Sequence, residues 1–417
     1  MIRIDEIYTT TFWPRLRQLY RIFSCDPFGR SDAASVVNLS APTAQDYVFF
    51  FDQEPIDLDL HGKTFDRVAR DNLDLAVKSL YGPGVGIVND PEVIWTLEDR
   101  AVLEAYRAAA SPRAVVLADL FDRHPEIFQR FKQLNQDRFF AKGHVVTSER
   151  DSQQVKHVCQ LYGWQEHYYW FHGWAALDWY RGYNRTYLMP TQRTIKKTFI
   201  MPNRIVGGAR QHRLKMLYWI FKLNLMNNYI SCPQICPAEN QTVKELLLSG
   251  VPMMPDAVEV FDRVKLPLNM PGEQGHPMHS CWLSLFDESA ECLLYLVTET
   301  VATGSRLHLT EKIFKPICLR MPFIVVGTCG SLDYLRSYGF QTFATLWDES
   351  YDTVQDDDDR IAAIAVVLAD LDSKSLEQKQ QLSAAAAAIV EHNYHHFYSG
   401  AFEDILWQEL QSMLAEF

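Results

Sequence analysis

KTFIMPNRIVGGARQHRLKMLYWIFKLNLM, residues 197–226, decides the architecture. Lys197–Met201 is a short apolar run of β character. A turn containing Pro202, Asn203 and the pair Gly207-Gly208 follows, and Arg210–Met226 then shows the residue types and apolar spacing of a helix. Strand, glycine turn and helix in that order form the unit from which helix-covered parallel sheets are built.

The same rhythm runs outward in both directions. Downstream, AECLLYLVTET (290–300) and PFIVVG (322–327) read as strands, and TEKIFKPICL (310–319) and SLDYLRSYG (331–339) as helices. Further helices are expected at 360–371, as one element over 375–397, and at 401–417; the acids Asp356–Asp359 read as a solvated loop ahead of the first of these. Upstream, 47–51 (YVFFF), 85–89, 114–118 and 144–148 (HVVTS) read as buried strands. They alternate with helical patterns at 73–81, 97–110, 124–136 and 148–164, the last with Ser148 and Asp151 as a loose capping box. Residues 180–196, rich in Arg, Tyr and turn formers, read as a linker between two α/β halves.

A chain of 417 residues exceeds what one hydrophobic core usually serves, so two domains are expected. The formal net charge of −12 argues against a surface that grips many nucleic-acid phosphates, although a local basic cleft fits within an acidic average. The eight cysteines are scattered, and several, such as Cys292 and Cys318, lie in apolar runs as reduced core residues. Cys232 and Cys236, with His276, His279 and Cys281 downstream, match no common zinc spacing, so neither a structural metal nor a disulfide is expected. The segment MIRIDEIYTT lacks a signal-peptide pattern and no apolar run approaches a membrane span, which leads to the expectation of a cytoplasmic protein.

In open parallel sheets ligands bind at the carboxyl ends of strands, and that rule selects three places. The first is the turn after Lys197–Met201, where Arg204, Arg210, His212 and Arg213 surround two glycines ahead of a helix, a setting suited to phosphate. At the second, Thr310 is placed to cap a helix whose first turn holds Glu311 and Lys312. These suit a ribose diol and a diphosphate, or else Glu311 is simply a favourable carboxylate in a first helical turn. The third is FFFDQEP, where Asp52 and Glu54 follow a strand and are candidates for a general base; Asp57 and Asp59 beyond the proline form a weaker DxD pattern. The aromatic stretch 167–183, with His172 and Trp174, reads either as core or as an acceptor-site wall.

The order Leu309-Thr310-Glu311-Lys312, then Pro322-Phe323-Ile324-Val325-Val326-Gly327, resembles the motif of α-1,3-fucosyltransferases. In that family the Glu holds the ribose of the nucleotide, the Lys its diphosphate, and an earlier Arg also grips phosphate. Glu311, Lys312 and Thr310 match directly, His308 stands where the family has Tyr, and Arg204 or Arg210 takes the place of the Arg. Asn203-Arg204 to Arg213, Thr310 to Pro316, Leu332 to Phe343 and Trp347 to Asp352 together also resemble glycosyltransferase-like proteins of phages and bacteria.

The resemblance implies a GT-B fold of two Rossmann-like domains with parallel sheets facing an interdomain cleft. Residues 1–190 form the acceptor domain and 196–395 the nucleotide-sugar domain. Residues 400–417 form a helix returning to the first domain through Ile405, Leu406, Leu410 and Leu414. It also implies metal-independent transfer from a nucleoside-diphosphate sugar, bound by Arg204, Arg210, Arg213, His308, Thr310, Glu311 and Lys312; the strand-end reading adds Glu54, or else Asp52, as the base. The acceptor is a glycan, a small molecule or modified DNA such as hydroxymethylated pyrimidine in a phage setting (host cytoplasm). A catalytically silent binding module with the same fold is the reading from another class.

Overall fold

The computed structural model describes residues 21–25, 47–51, 143–162, 165–180, 193–249, 254–273 and 283–415. The chain divides into two compact units. One is His172–Glu409, and the other comprises Ile2–Phe171 with Leu410–Phe417.

The unit of Ile2–Phe171 contains a parallel sheet in the order β1-β2-β3-β4, made of β1 (Arg21–Cys25), β2 (Tyr47–Phe51), β3 (Gly143–Thr147) and β4 (Gln165–Tyr168). β2 and β3 occupy the expected positions, while β1, the short RIFSC run, is an additional strand. Helix α1 (Gln153–Tyr162) joins β3 to β4, and its start corrects the expected capping box. Ser152 Oγ accepts from Val155 N at 3.3 Å, whereas Ser148 Oγ donates to the Tyr169 carbonyl. Asp151 carries a positive φ of 55°, so the chain turns between Ser148 and the helix and the cap falls one turn later. The expected elements between residues 73 and 136 lie outside the described residues.

The unit of His172–Glu409 is built on a second parallel sheet, in the order β10-β9-β5-β6. Its strands are β5 (Lys197–Met201), β6 (Tyr229–Ile230), β9 (Cys292–Thr298) and β10 (Phe323–Val326); β7 (Ile235–Cys236) and β8 (Gln241–Thr242) form a short antiparallel pair apart from it. Every residue of β9 and β10 is buried. Because successive side chains point to opposite faces, such continuous burial requires cover on both sides of the sheet.

The helices of this unit begin with α2 (Phe171–Tyr180), whose first residue belongs to the other unit, and α3 (His212–Lys222). Then come α4 (Val243–Leu248), α5 (Ala257–Asp262), α6 (Phe286–Glu291), α7 (Phe314–Cys318) and α8 (Ser331–Ser337). The last are α9 (Asp357–Ser373), α10 (Leu376–Ala385), α11 (Ala387–Tyr398) and α12 (Ala401–Ala415), whose residues from Leu410 onward belong to the other unit.

Two expectations change. The acids at 356–359 are not a loop: Asp356 caps α9, accepting from Asp358 N and Asp359 N at 2.9 Å each, and Asp357–Asp359 form its first turn, where negative charge complements the helix dipole. The segment 375–397 is two helices, α10 and α11, which meet at Ala386.

Arg360 on α9 is buried and donates to the carbonyls of Ala302 (2.7 Å), Gly327 (3.0 Å) and Val354 (2.8 Å), binding together the loops after β9 and β10. Helix α2 approaches α12 closely at Gly173, where an added Cβ would lie 2.9 Å from Phe402 and 3.1 Å from Leu406. The side chains of Leu410 and Leu414, expected to continue that apolar stripe, lie outside the described residues.

Candidate functional site

The order of the second sheet locates a crevice. From β5 the chain crosses to β6 on one side, and from β9 it crosses to β10 on the other. β5 and β9 are parallel neighbours, so their carboxyl ends share one edge while the following loops diverge. Such a topological switch point is where open α/β sheets bind ligands. The two loops that leave it, 202–211 and 299–310, carry most of the residues singled out from the sequence.

After β5, Asn203 Oδ1 accepts from Thr298 Oγ1 at 2.7 Å and so joins the ends of the two strands. Arg204 is exposed and Arg210 half-buried, and among the described residues neither side chain has a hydrogen bond or ion pair. Between them Gly208 has φ +57°, and the Glu239 carboxylate lies so close that an added Cβ on Gly207 or Gly208 would stand 2.6 Å from it. Cys236 Sγ donates to Glu239 Oε2 at 2.7 Å. Gly208 is therefore favoured by its left-handed backbone conformation.

Arg213 and His212, grouped with the other basic residues in the sequence, are placed differently. Arg213 is 5% exposed and gives its guanidinium to the carbonyls of Ile205 (2.8 Å), Thr298 (3.0 Å) and Glu299 (3.1 Å). Burial, then the neighbouring Arg210, pulls its pKa down to about 10, so it stays charged at neutral pH. His212 Nε2–H donates to the Glu299 carbonyl at 2.9 Å; burial, then Arg213, pushes its pKa down to about 3, which leaves it neutral. Both side chains brace the strand ends.

After β9 the chain enters Glu299-Thr300. Glu299 is wholly buried, and its Oε2 accepts from Thr300 N (3.4 Å), Thr310 N (3.1 Å) and Thr310 Oγ1. Burial pushes this carboxyl up, against the pull of Lys312. Thr310 caps a 3-10 turn, Glu311–Ile313, that runs into α7, so the expected helix start is present. Lys312 Nζ donates to Thr300 Oγ1 (2.9 Å), Thr310 Oγ1 (3.1 Å) and Glu311 Oε1 (2.9 Å).

Glu311 is 5% exposed. Burial alone raises its carboxyl, but Lys312, His172 and Lys315 together outweigh that and hold it well below the usual range. Its other oxygen faces His172 Nδ1 at 3.9 Å. His172 is itself driven by burial to about 4, so at neutral pH this contact is a neutral imidazole beside a carboxylate and not an ion pair. The His308 ring meets His172 edge-on at 5.1 Å and 87°.

Five buried polar atoms on this edge have no hydrogen-bond partner among the described residues: His172 Nε2, Asn203 Nδ2, His212 Nδ1, Arg213 Nε and Glu299 Oε1. Buried polar groups are normally paired, so each of these atoms calls for a partner that the protein itself does not supply among the described residues. Two unpaired guanidinium groups and an ammonium answer anionic oxygens; buried carboxylates and neutral imidazoles answer hydroxyls.

Glu299 was missed by sequence reasoning. Its signal is a carboxylate directly after a seven-residue buried strand, flanked by threonines. Asp52, Glu54, Asp57, Asp59, His276, His279 and Cys281 lie outside the described residues, as does the Trp174 side chain. Cys232 and Cys236 are buried free thiols, and Cys292 and Cys318 are core residues as expected. Among the described residues no helix is long and apolar enough to cross a membrane. Comparisons with family models, with curated proteins and with solved structures found no match to this chain.

Proposed function

We propose that the chain is a glycosyltransferase of the GT-B type that moves a sugar from a nucleoside-diphosphate sugar to an acceptor hydroxyl. The observation that carries this reading is the pair of divergent loops at the β5/β9 switch point, which bring unpaired Arg204 and Arg210 to the same sheet edge as the capped Thr310-Glu311-Lys312 turn. Arg204, Arg210 and Lys312 receive the diphosphate, and Glu311 receives the ribose. His308 packs edge-on against His172, and Arg213 holds the loops in place.

Departure of a sugar leaves negative charge on the diphosphate. Guanidinium and ammonium groups fixed in advance stabilise that charge without reorganising during the reaction. Glu54, or Asp52, takes the proton of the acceptor hydroxyl, a task suited to a carboxylate at a strand end.

The test is a donor-hydrolysis screen over the common nucleotide sugars with the full-length chain. Release of a nucleoside diphosphate from one donor, lost in Lys312→Ala, supports transfer. Binding without turnover of any donor, with or without added acceptors, points to the silent binding module.

A further inference from the structure

We propose that Glu299 is a positioning residue of this site, acting on Lys312 through the Thr310 hydroxyl. It fixes the ammonium at the sheet edge and takes up a proton when a diphosphate binds there. The inference rests on the nucleoside-diphosphate site proposed above and adds to it a link between anion binding and protonation. The role requires no contact between Glu299 and the ligand.

The hydrogen bonds between the two residues run in one direction. Thr310 Oγ1 accepts from Lys312 Nζ at 3.1 Å and from Lys312 N at 3.5 Å. Its own hydrogen is therefore free for Glu299 Oε2, to which it donates. A cation and a buried carboxylate are thus joined through one hydroxyl. Thr300 makes a second bridge: its amide donates to Glu299 Oε2 at 3.4 Å, and its Oγ1 accepts from Lys312 Nζ at 2.9 Å. Glu299 and both threonines are buried, so protein groups and not water hold the ammonium on this side.

Every atom bonded to Glu299 Oε2 is a donor: Thr300 N, Thr310 N and Thr310 Oγ1. Donors converging on one oxygen favour the ionised carboxylate. Of the charged groups around it, Lys312 and Glu311 come from the Glu311–Ile313 turn and Arg213 from α3. His212 of α3 is neutral and meets only the Glu299 carbonyl, and β10 supplies the Val326 carbonyl to the Glu299 amide. The carboxylates of Glu299 and Glu311 are thus balanced by Lys312 and Arg213. A diphosphate beside Lys312 upsets that balance with further negative charge. Negative charge nearby disfavours an ionised carboxylate, and burial already pushes Glu299 up. The proton comes from the buffer and adds to Oε1, which has no partner among the described residues, while Oε2 keeps its donors.

The experiment is isothermal titration of the full-length chain with inorganic pyrophosphate, ADP, GDP, UDP and CDP, in buffers of different ionisation enthalpy, from roughly pH 6 to 9. The dependence of the heat on the buffer counts the protons taken up, and the ligand's own protons cancel between parent and variant. In Glu299→Gln the amide oxygen still accepts from Thr310, so Lys312 stays in place while the charge is gone. The expected result is that the parent takes up more protons than Glu299→Gln, the difference reaching up to about one. The variant binds about tenfold tighter than the parent at the alkaline end and equally at the acid end. Proton uptake that agrees within about 0.1 at every pH overturns the inference, as does affinity lowered by one constant factor across the range.

If Glu299→Gln does not fold, Thr310→Val carries the same comparison. It removes the hydroxyl between Lys312 and Glu299, so the ammonium is no longer held and the carboxyl is protonated before the ligand arrives. Weaker pyrophosphate binding and loss of the extra proton uptake are expected together, whereas Thr310→Ser keeps both as in the parent. Uptake in Thr310→Val equal to that of the parent overturns the inference. Failure of all of these anions to bind the unmodified chain overturns the proposed function and the inference with it. Binding without the proton difference overturns the inference alone.

Discussion

Arg213→Ala is expected to unfold the site's scaffold without removing a direct ligand contact. The guanidinium makes three hydrogen bonds, to the carbonyls of Ile205, Thr298 and Glu299, and the side chain is 5% exposed. Hydrogen bonds to a charged group contribute roughly 1.5–3 kcal/mol each. They are not additive here, because two of the carbonyls share one donor nitrogen, so a total loss of about 3–5 kcal/mol is expected. For a unit of this size that lowers the melting temperature by roughly 6–20 °C.

The assay is thermal unfolding followed by near-ultraviolet circular dichroism, paired with hydrogen exchange at the β5 and β9 amides. Exchange should accelerate at the carboxyl ends of both strands. Arg213→Lys should fall between, since one ammonium can reach some of the carbonyls but lacks the planar fork. A melting temperature within about 2 °C of the parent, together with a tenfold or greater loss of nucleoside-diphosphate affinity, would falsify this reasoning and make Arg213 a phosphate ligand.

Three further outcomes follow from the same geometry. His212 is neutral in the folded chain and titrates near 6.5 when unfolded, so below that pH the unfolded state binds the extra proton and stability falls on acidification. His212→Gln should therefore flatten stability against pH by about 1.4 kcal/mol per unit between pH 6 and 4.5, measured by urea denaturation; an unchanged slope means the imidazole is not neutral. Glu239→Gln, which removes the negative charge lying on the Gly207-Gly208 turn, should tighten pyrophosphate binding about two- to fivefold at low salt and less at high salt; weaker binding contradicts the placement of the anion at that turn. Glu54→Gln should lower turnover roughly 10²-fold with nucleotide affinity nearly unchanged, and near-normal turnover would move the base to Asp52 or another carboxylate.

The sequence made strands legible where they are apolar throughout. YVFFF, GHVVT, KTFIM, CLLYLVT and FIVV are all strands, and in CLLYLVT and FIVV every residue is buried, which removes the need for polar alternation. RIFSC was not legible, since five residues with two bulky aliphatic or aromatic side chains carry too little periodic signal. The two-residue strands β6, β7 and β8 depend on tertiary pairing for the same reason.

In the site, Thr310, Glu311 and Lys312 were readable because capping is a local rule, and the structure puts Thr310 on the Lys312 amide. The division of labour among the basic residues was not readable. Arg204, Arg210 and Arg213 look alike in the sequence, and only the sheet edge decides which guanidinium meets backbone carbonyls and which stays unpaired. The brace formed by Glu299 depends on a contact eleven residues away.

The central claim is that an anionic nucleotide is held at the β5/β9 switch point by Arg204 and Arg210. The most direct measurement is the melting temperature of the full-length chain and of the double variant Arg204→Ala/Arg210→Ala, each with saturating nucleoside diphosphates. A ligand at a hundred times its dissociation constant stabilises by about 2.7 kcal/mol. For a unit of this size that is a rise of roughly 5–11 °C in the parent. The account predicts that rise for at least one nucleoside diphosphate, with the variant melting as the parent does without ligand and shifting far less with it. No rise with any nucleoside diphosphate, or an equal rise in the variant, contradicts it.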